Sequence, residues 1–94
     1  MPHLTKQMLV DAAGAMPPYF DTHDLIAELQ RSYPQQYARD LYRFVHHSDP
    51  FIGLHAEIGK RLRWVDSVQK TRKVRGPNVR GRISSCQQWR RTGP

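Results

Sequence analysis

The side chains that could do chemistry in this chain are unevenly placed. From Lys60 onward there are eleven basic residues, Lys60, Arg61, Arg63, Lys70, Arg72, Lys73, Arg75, Arg80, Arg82, Arg90 and Arg91, against Asp66 alone. Met1 to Gly59 holds four basic residues and seven acidic ones, so the whole formal charge of +7 originates in the last third of the sequence. A positive field concentrated in this way attracts polyanions and weakens with salt, and nucleic acid is the commonest such partner. The chemistry implied is phosphate binding, in which Lys and Arg displace counterions condensed on a nucleic-acid backbone. Trp64, Val65, Val68, Val74, Val79, Ile83 and Trp89 are interleaved with these charges. A disordered basic tail would be poorer in such residues, so this stretch is expected to fold.

Other chemistries find little support. His46, His47 and Asp49 can be drawn as a base with an orienting carboxylate, and Cys86 as a nucleophile, but neighbouring residues on a helix point in different directions. They read instead as helix-end histidines and a small strand cysteine. The five histidines and one cysteine form no CxxC or HxxxH set, and Cys86 has no partner for an internal disulfide. Arg75-Gly76-Pro77 and Gly81 do not follow a strand-to-helix turn, so they are no phosphate-binding loop. The expectation is a protein that is not an enzyme and carries no metal or cofactor. No apolar run approaches the roughly 18 to 20 residues of a membrane span, and Met1 to Val10 lacks the apolar stretch of a secretory signal. A soluble, cytoplasmic or nucleoid-associated location is expected.

The elements that must position the basic residues follow from the apolar spacing. At 94 residues with 38% hydrophobic content, the chain has the material for a single small core. Leu4, Met8, Leu9 and Ala12 recur at helical spacing and predict a first helix over Thr5 to Ala15, ended by Pro17 and Pro18. Tyr19 and Phe20 are extended, as a very short strand or a core anchor. Asp21 or Thr22 caps a second helix carrying Leu25, Ile26 and Leu29, which runs to about Ser32. Pro34 opens a third helix reaching His47, with Tyr37, Leu41, Phe44 and Val45 on its apolar face. Asp49 and Pro50 open a fourth, with Phe51, Leu54, Ile58 and Leu62 on one face and His55, Lys60 and Arg61 largely outside. Gly53 and Gly59 either weaken this helix by about 1 kcal/mol each or permit a close helix crossing.

After Trp64 the pattern turns β-branched and polar, which predicts a hairpin with its turn at Arg75-Gly76-Pro77-Asn78 and further turn chemistry at Gly81. Ile83, Ser85, Gln87 and Trp89 share one face of its second strand, with Ile83 and Trp89 resting on the helices. Trp64 and Trp89 read as packing residues at the two ends of the hairpin rather than as stacking platforms. Asn78 is within reach of a base edge, although Asn in a turn usually serves its own backbone. Thr92 to Pro94 reads as a frayed end. The fold class expected is α+β, one domain over 1–94, with a helical part over 1–62 and a hairpin over 63–91.

A run of helices followed by a basic hairpin resembles the winged helix-turn-helix class. The local run Ile58-Gly59-Lys60-Arg61-Leu62-Arg63-Trp64, then Lys70-Thr71-Arg72-Lys73, a Gly-containing turn and Trp89-Arg90, is similar to the recognition-helix-to-wing passage of small phage and plasmid modules. The resemblance covers about the last 40 residues, and the third helix in the middle of the chain departs from it. It implies a duplex-DNA-binding protein, such as a transcriptional regulator or a replication accessory. Pro50 to Leu62 would be the recognition helix, with Pro34 to His47 as the other candidate. His55, Lys60, Arg61 and Arg63 would then face the groove or its phosphates, and Lys70, Arg72, Lys73, Arg75, Asn78, Arg80 and Arg82 would form the wing surface. A protein-interaction module on the same scaffold and an RNA-binding protein are the competing readings, and a homodimer is compatible with each.

Overall fold

The computed structural model describes residues 3–92 and has an α+β architecture of four helices and a three-stranded antiparallel sheet. The helices are α1 (Lys6–Gly14), α2 (Thr22–Ser32), α3 (Pro34–Tyr42) and α4 (Pro50–Arg61), the last continued by a 3-10 turn over Leu62–Trp64. The strands are β1 (Tyr19–Asp21), β2 (Val68–Pro77) and β3 (Ile83–Arg91), in the order β1-β3-β2. Among the described residues no helix is long and apolar enough to cross a membrane.

Local chemistry explains most boundaries. The Thr5 hydroxyl accepts from the Met8 N–H at 3.2 Å and starts α1. Asp21 caps α2 reciprocally: its carboxylate accepts from the Asp24 N–H at 2.8 Å, and the Asp24 carboxylate accepts from the Asp21 N–H at 3.0 Å. Asp49 accepts from the N–H groups of Phe51 and Ile52 and starts α4, with Pro50 in the first helical position. Leu9, Leu25, Ile26, Leu29, Leu54, Ile58 and Leu62 are buried between the helices. Phe20 pairs with Trp89 across β1 and β3, and both rings are buried. Tyr19 and Phe20 thus form a short strand in which Phe20 alone is a core anchor, Tyr19 lying exposed.

Four expectations are corrected. α3 ends at Tyr42 rather than His47, because the N–H groups of Arg43, Phe44 and Val45 turn back to carbonyls three residues earlier and tighten the chain out of the helix. Val45 consequently lies exposed, while Phe44 leaves the helix and fills the space above Gly53. A Cβ at Gly53 would stand 2.6 Å from the Phe44 ring, so this glycine permits a close approach. Gly59 meets only an ordinary contact with Thr22. The hairpin turn lies at Asn78 to Arg82, not at Arg75 to Asn78: β2 continues through Pro77, which pairs with Ile83, and the left-handed position is Gly81 at φ 78°. Ile83 is 60% exposed at the distal end of the ladder, where no helix covers it. Trp64 is 73% exposed. With three residues per 3-10 turn, Leu62 and Val65 share the inward side and Trp64 is carried outward.

Trp89, in contrast, packs as expected. Its Nε1 donates to the Thr22 hydroxyl at 3.0 Å, and that hydroxyl donates to the Gln87 carbonyl at 3.1 Å. The start of α2 is thereby joined to the end of β3. Thr92 is tied down as well, its N–H donating to the Ser67 carbonyl at 2.9 Å; the rest of the expected frayed end lies outside the described residues.

A second polar junction sits on the opposite side. Asp40 on α3 is only 1% exposed, and its Oδ2 accepts from the Leu4 N–H at 2.9 Å. His3, Arg43 and Arg61 surround it at 2.9, 3.3 and 3.7 Å, and Arg61 also donates to the Leu4 carbonyl at 2.6 Å. Removing one member of a buried charged set typically costs 3 to 5 kcal/mol; here the Arg43 and Arg61 guanidinium groups are partly solvated and recover some hydration, so Asp40→Ala is expected to cost about 2–3 kcal/mol. Urea unfolding at pH 7 checks this, and a loss below about 0.5 kcal/mol would remove Asp40 from the set of structural determinants.

Candidate nucleic-acid interface

The helix that leads into the hairpin and the hairpin itself bound a half-open groove of about 480 Å³, floored by the first residues of α2. The α4 side contributes Ile52, His55, Ala56, Gly59, Lys60 and Arg63; the hairpin side contributes Lys70, Lys73, the segment Asn78 to Arg80 and the segment Ser84 to Gln87; Thr22, His23, Ile26 and Trp89 complete it. Five cations therefore line the groove, and no carboxylate does.

Two features of β2 and β3 bring the cations there. An irregularity between Lys70 and Lys73 shifts the register, so that Lys70 pairs with Trp89 and Lys73 with Gln87. An extra residue in a ladder re-aims the side chains that follow it, and Lys70 and Lys73, three apart, both line the groove while Arg72 does not. At the tip, the Asn78 side-chain oxygen accepts from the N–H groups of Arg80 and Arg82 at 2.9 and 3.1 Å, and its backbone N–H donates to the Arg82 carbonyl at 2.8 Å. Asn78 holds the turn through its own backbone, with its amide at the groove margin.

The residues singled out from sequence divide into three groups. Lys60, Arg63, Lys70, Arg72, Lys73, Arg75 and Arg82 make no ion pair and no side-chain hydrogen bond within the described residues. Arg80 lines the groove but spends its guanidinium on Asp49 at 3.0 Å and lies over the Phe51 ring, 5.4 Å from its centroid, which fastens the hairpin tip to the start of α4. Arg61 points the other way, to Asp40 and Leu4, so it is not brought together with Lys60 and Arg63. Arg90 and Arg91 are also engaged internally, with Gln69 and with the Met16 carbonyl.

His55 is a wall residue rather than a cation. Its ring is half-buried between Tyr37 and Phe51, and its Nε2 lies 2.6 Å from the Tyr37 hydroxyl. Burial, with His23 and Arg80 nearby, lowers its pKa to about 4, so the imidazole is neutral at pH 7. Sequence spacing had placed His55 outside; the missing signal was Tyr37, which reaches it from α3. His23 was also missed, and it shares a 3.0 Å hydrogen bond with the Ser84 hydroxyl across the groove floor. Burial pushes the Cys86 thiol up, against two N–H groups of α2 that act in the opposite direction. His46 and His47 lie exposed between α3 and α4, and among the described residues no cluster of three or more His, Cys, Asp or Glu side chains is placed to hold a metal ion. No family model, curated protein or solved structure matches the chain.

The depressed His55 pKa has a thermodynamic sign. Below the ordinary value of 6.5 the unfolded chain binds a proton that the folded chain refuses, so His55 makes stability fall as pH drops from about 6.5 towards 4. Allowing for solvent screening of a half-exposed ring, the loss between pH 7 and pH 5 is expected to be about 1 kcal/mol. Urea unfolding of wild type and His55→Gln at the two pH values checks it: the variant should lack this part of the pH dependence, and parallel profiles would show that His55 is not its source.

Proposed function

We propose that this chain is a non-enzymatic DNA-binding protein with a winged-helix-like arrangement, serving as a transcriptional regulator or replication accessory in the cytoplasm or on the nucleoid. The observation that carries this reading is the set of seven cations on the end of α4 and on the hairpin that have no partner within the described protein. Arg43, Arg61, Arg80 and Arg91 are engaged within the protein. Lys6 on α1 and Arg39 on α3 also lack a partner among the described residues, but the other seven are gathered between the end of α4 and the hairpin, where they suit an anion from outside.

The architecture supports the same reading. A strand between α1 and α2 pairs with the last strand, and a helix runs directly into a two-stranded hairpin. A helix beside a basic hairpin supports a winged-helix-like arrangement, from which the chain departs by one helix in the middle. α4 is the recognition helix in this proposal, because its exposed Ile52, Ala56 and Lys60, and Arg63 in the 3-10 turn that continues it, look onto the same space as the hairpin, whereas α3 buries Tyr37 and Asp40. Arg72, Arg75 and Arg82 lie outside the groove and are suited to the phosphates that flank it.

Fluorescence anisotropy with labelled duplex DNA, single-stranded DNA and duplex RNA of matched length tests the proposal. About four phosphate contacts would weaken duplex DNA binding by about a hundredfold between 50 and 200 mM salt. Joint replacement of Arg72, Arg75 and Arg82 by Ala should lower duplex affinity at least about tenfold, and an affinity within about twofold of wild type would remove the hairpin from the interface. Preference for duplex RNA would replace the DNA reading. Absence of binding to all three at low salt would assign the basic surface to an acidic protein partner.

A further inference from the structure

We propose that the groove between α4 and the hairpin binds a nucleoside phosphate, either as a free nucleotide or as an unpaired nucleotide of a strand. The inference shares cations with the reading above, but it needs the groove itself, so the two fail separately.

Three observations carry it. The groove, at about 480 Å³, lies in the range of roughly 300–1,000 Å³ typical of small-ligand sites. Its charge is one-sided: among the described residues Lys60, Arg63, Lys70 and Lys73 line it without partners, and no carboxylate does. Between these cations the accessible apolar lining comes from Ile52, Ala56 and Val79, over a floor that holds the buried Trp89 together with polar groups such as His23 and Ser84, and this mixed surface suits a base or sugar rather than a phosphate alone. Inorganic anions would use the cations and leave that lining wet. A paired base keeps its faces in the duplex stack, so only an unpaired or free nucleotide can offer them.

His55 and Ser84 fit this occupant. The neutral imidazole adds no carboxylate-like acceptor and no charge to the wall, and its Nε2 is already satisfied by Tyr37. Ser84 is held by His23 at 3.0 Å, which leaves a fixed hydroxyl at the groove floor for a polar edge of the ligand. The walls are also held in place without ligand, by the Trp89 to Thr22 hydrogen bond at the base of the hairpin and by the Arg80 to Asp49 pair at its tip. A site with walls fixed in advance loses little conformational freedom on binding.

The test uses the full chain carrying Trp64→Phe, so that Trp89 is its one fluorophore of that type, titrated with adenosine monophosphate, inorganic phosphate and a single-stranded tetranucleotide in about 50 mM salt. Saturable change of Trp89 emission with the nucleotide or the tetranucleotide, and none with phosphate at the same concentrations, is the expected result. Tighter binding of the tetranucleotide points to a strand as the source, and equal or tighter binding of the mononucleotide points to a free nucleotide. Ala56→Phe places a ring in the groove from an exposed helix position and should weaken binding at least about tenfold by steric exclusion, and Lys70→Gln with Lys73→Gln should do so through lost charge. Circular dichroism confirms that both variants fold. No saturable response to nucleotide or tetranucleotide, an equal response to inorganic phosphate, or unchanged binding in folded Ala56→Phe would overturn the proposal. Duplex binding measured separately on wild type distinguishes these outcomes: a duplex that binds while the groove ligands do not defeats the groove alone, and the converse defeats the duplex reading alone.

Discussion

A single buried carboxylate orients the helical layer. Asp40 has lost almost all contact with water, and an ionised group in that position persists only where donors and positive charge surround it. The hydrogen bond comes from the Leu4 N–H to Oδ2, while His3 before α1, Arg43 just beyond α3 and Arg61 at the end of α4 lie within ion-pair distance, Oδ1 being without a hydrogen bond among the described residues. Because these groups are far apart in sequence, the carboxylate joins the segment before α1, α3 and α4 at one point. The consequence reaches the candidate interface. With Arg61 drawn inward to Asp40 and Leu4, Lys60, one residue earlier on α4, and Arg63, in the 3-10 turn that follows, are left on the outward side and line the groove beside the hairpin.

The sheet is attached by a different device. Thr22 is the first residue of α2, and its hydroxyl both donates to the Gln87 carbonyl and accepts from Trp89. Buried hydroxyls and indole N–H groups are costly when unpaired, so one side chain here satisfies two buried polar groups of β3 and fixes the hairpin base against α2. From that base the hairpin runs back along α4 to its start, where Arg80 meets Asp49 and Phe51. The groove is the space left between two elements held at both ends.

What could be read from the sequence was whatever depends on neighbours along the chain. α2, with its Asp21 cap and Leu25, Ile26 and Leu29, and α4, with Asp49, Pro50, Leu54 and Ile58, follow directly from capping and apolar spacing. The charge segregation needed only counting. What the sequence does not carry depends on distant partners: the burial of Asp40 has no local signal, and spacing alone puts His55 outside and makes Arg61 and Arg80 two more free cations. Their roles require Leu4, Tyr37 and Asp49 to be brought beside them by the fold. The hairpin turn was displaced for a related reason. Gly76 and Pro77 carry turn chemistry by type, yet Pro77 sits at the last pair of the ladder, where a missing N–H is least costly, and the five-residue turn beyond is set by Asn78 and Gly81. Trp64 was misplaced because an aromatic after an apolar helix suggests continued packing, while the change from 3.6 to 3.0 residues per turn rotates it outward.

The two attachments of the hairpin differ in strength, and the difference bears on how the groove meets an anion. The base is a hydrogen bond between buried groups, reinforced by the packing of Trp89 against Phe20. The tip is an ion pair whose members are 39% and 30% exposed, and such pairs contribute at most about 1 kcal/mol. A phosphate approaching Arg80 competes with Asp49 for a contact of that small size, whereas nothing outside the protein competes for the Thr22 hydroxyl. The position of Lys70 beside Trp89 is therefore fixed more firmly than that of the turn between Asn78 and Arg82. In the proposed binding, the cations near the hairpin base would set the geometry, and those near the tip would adapt to the partner.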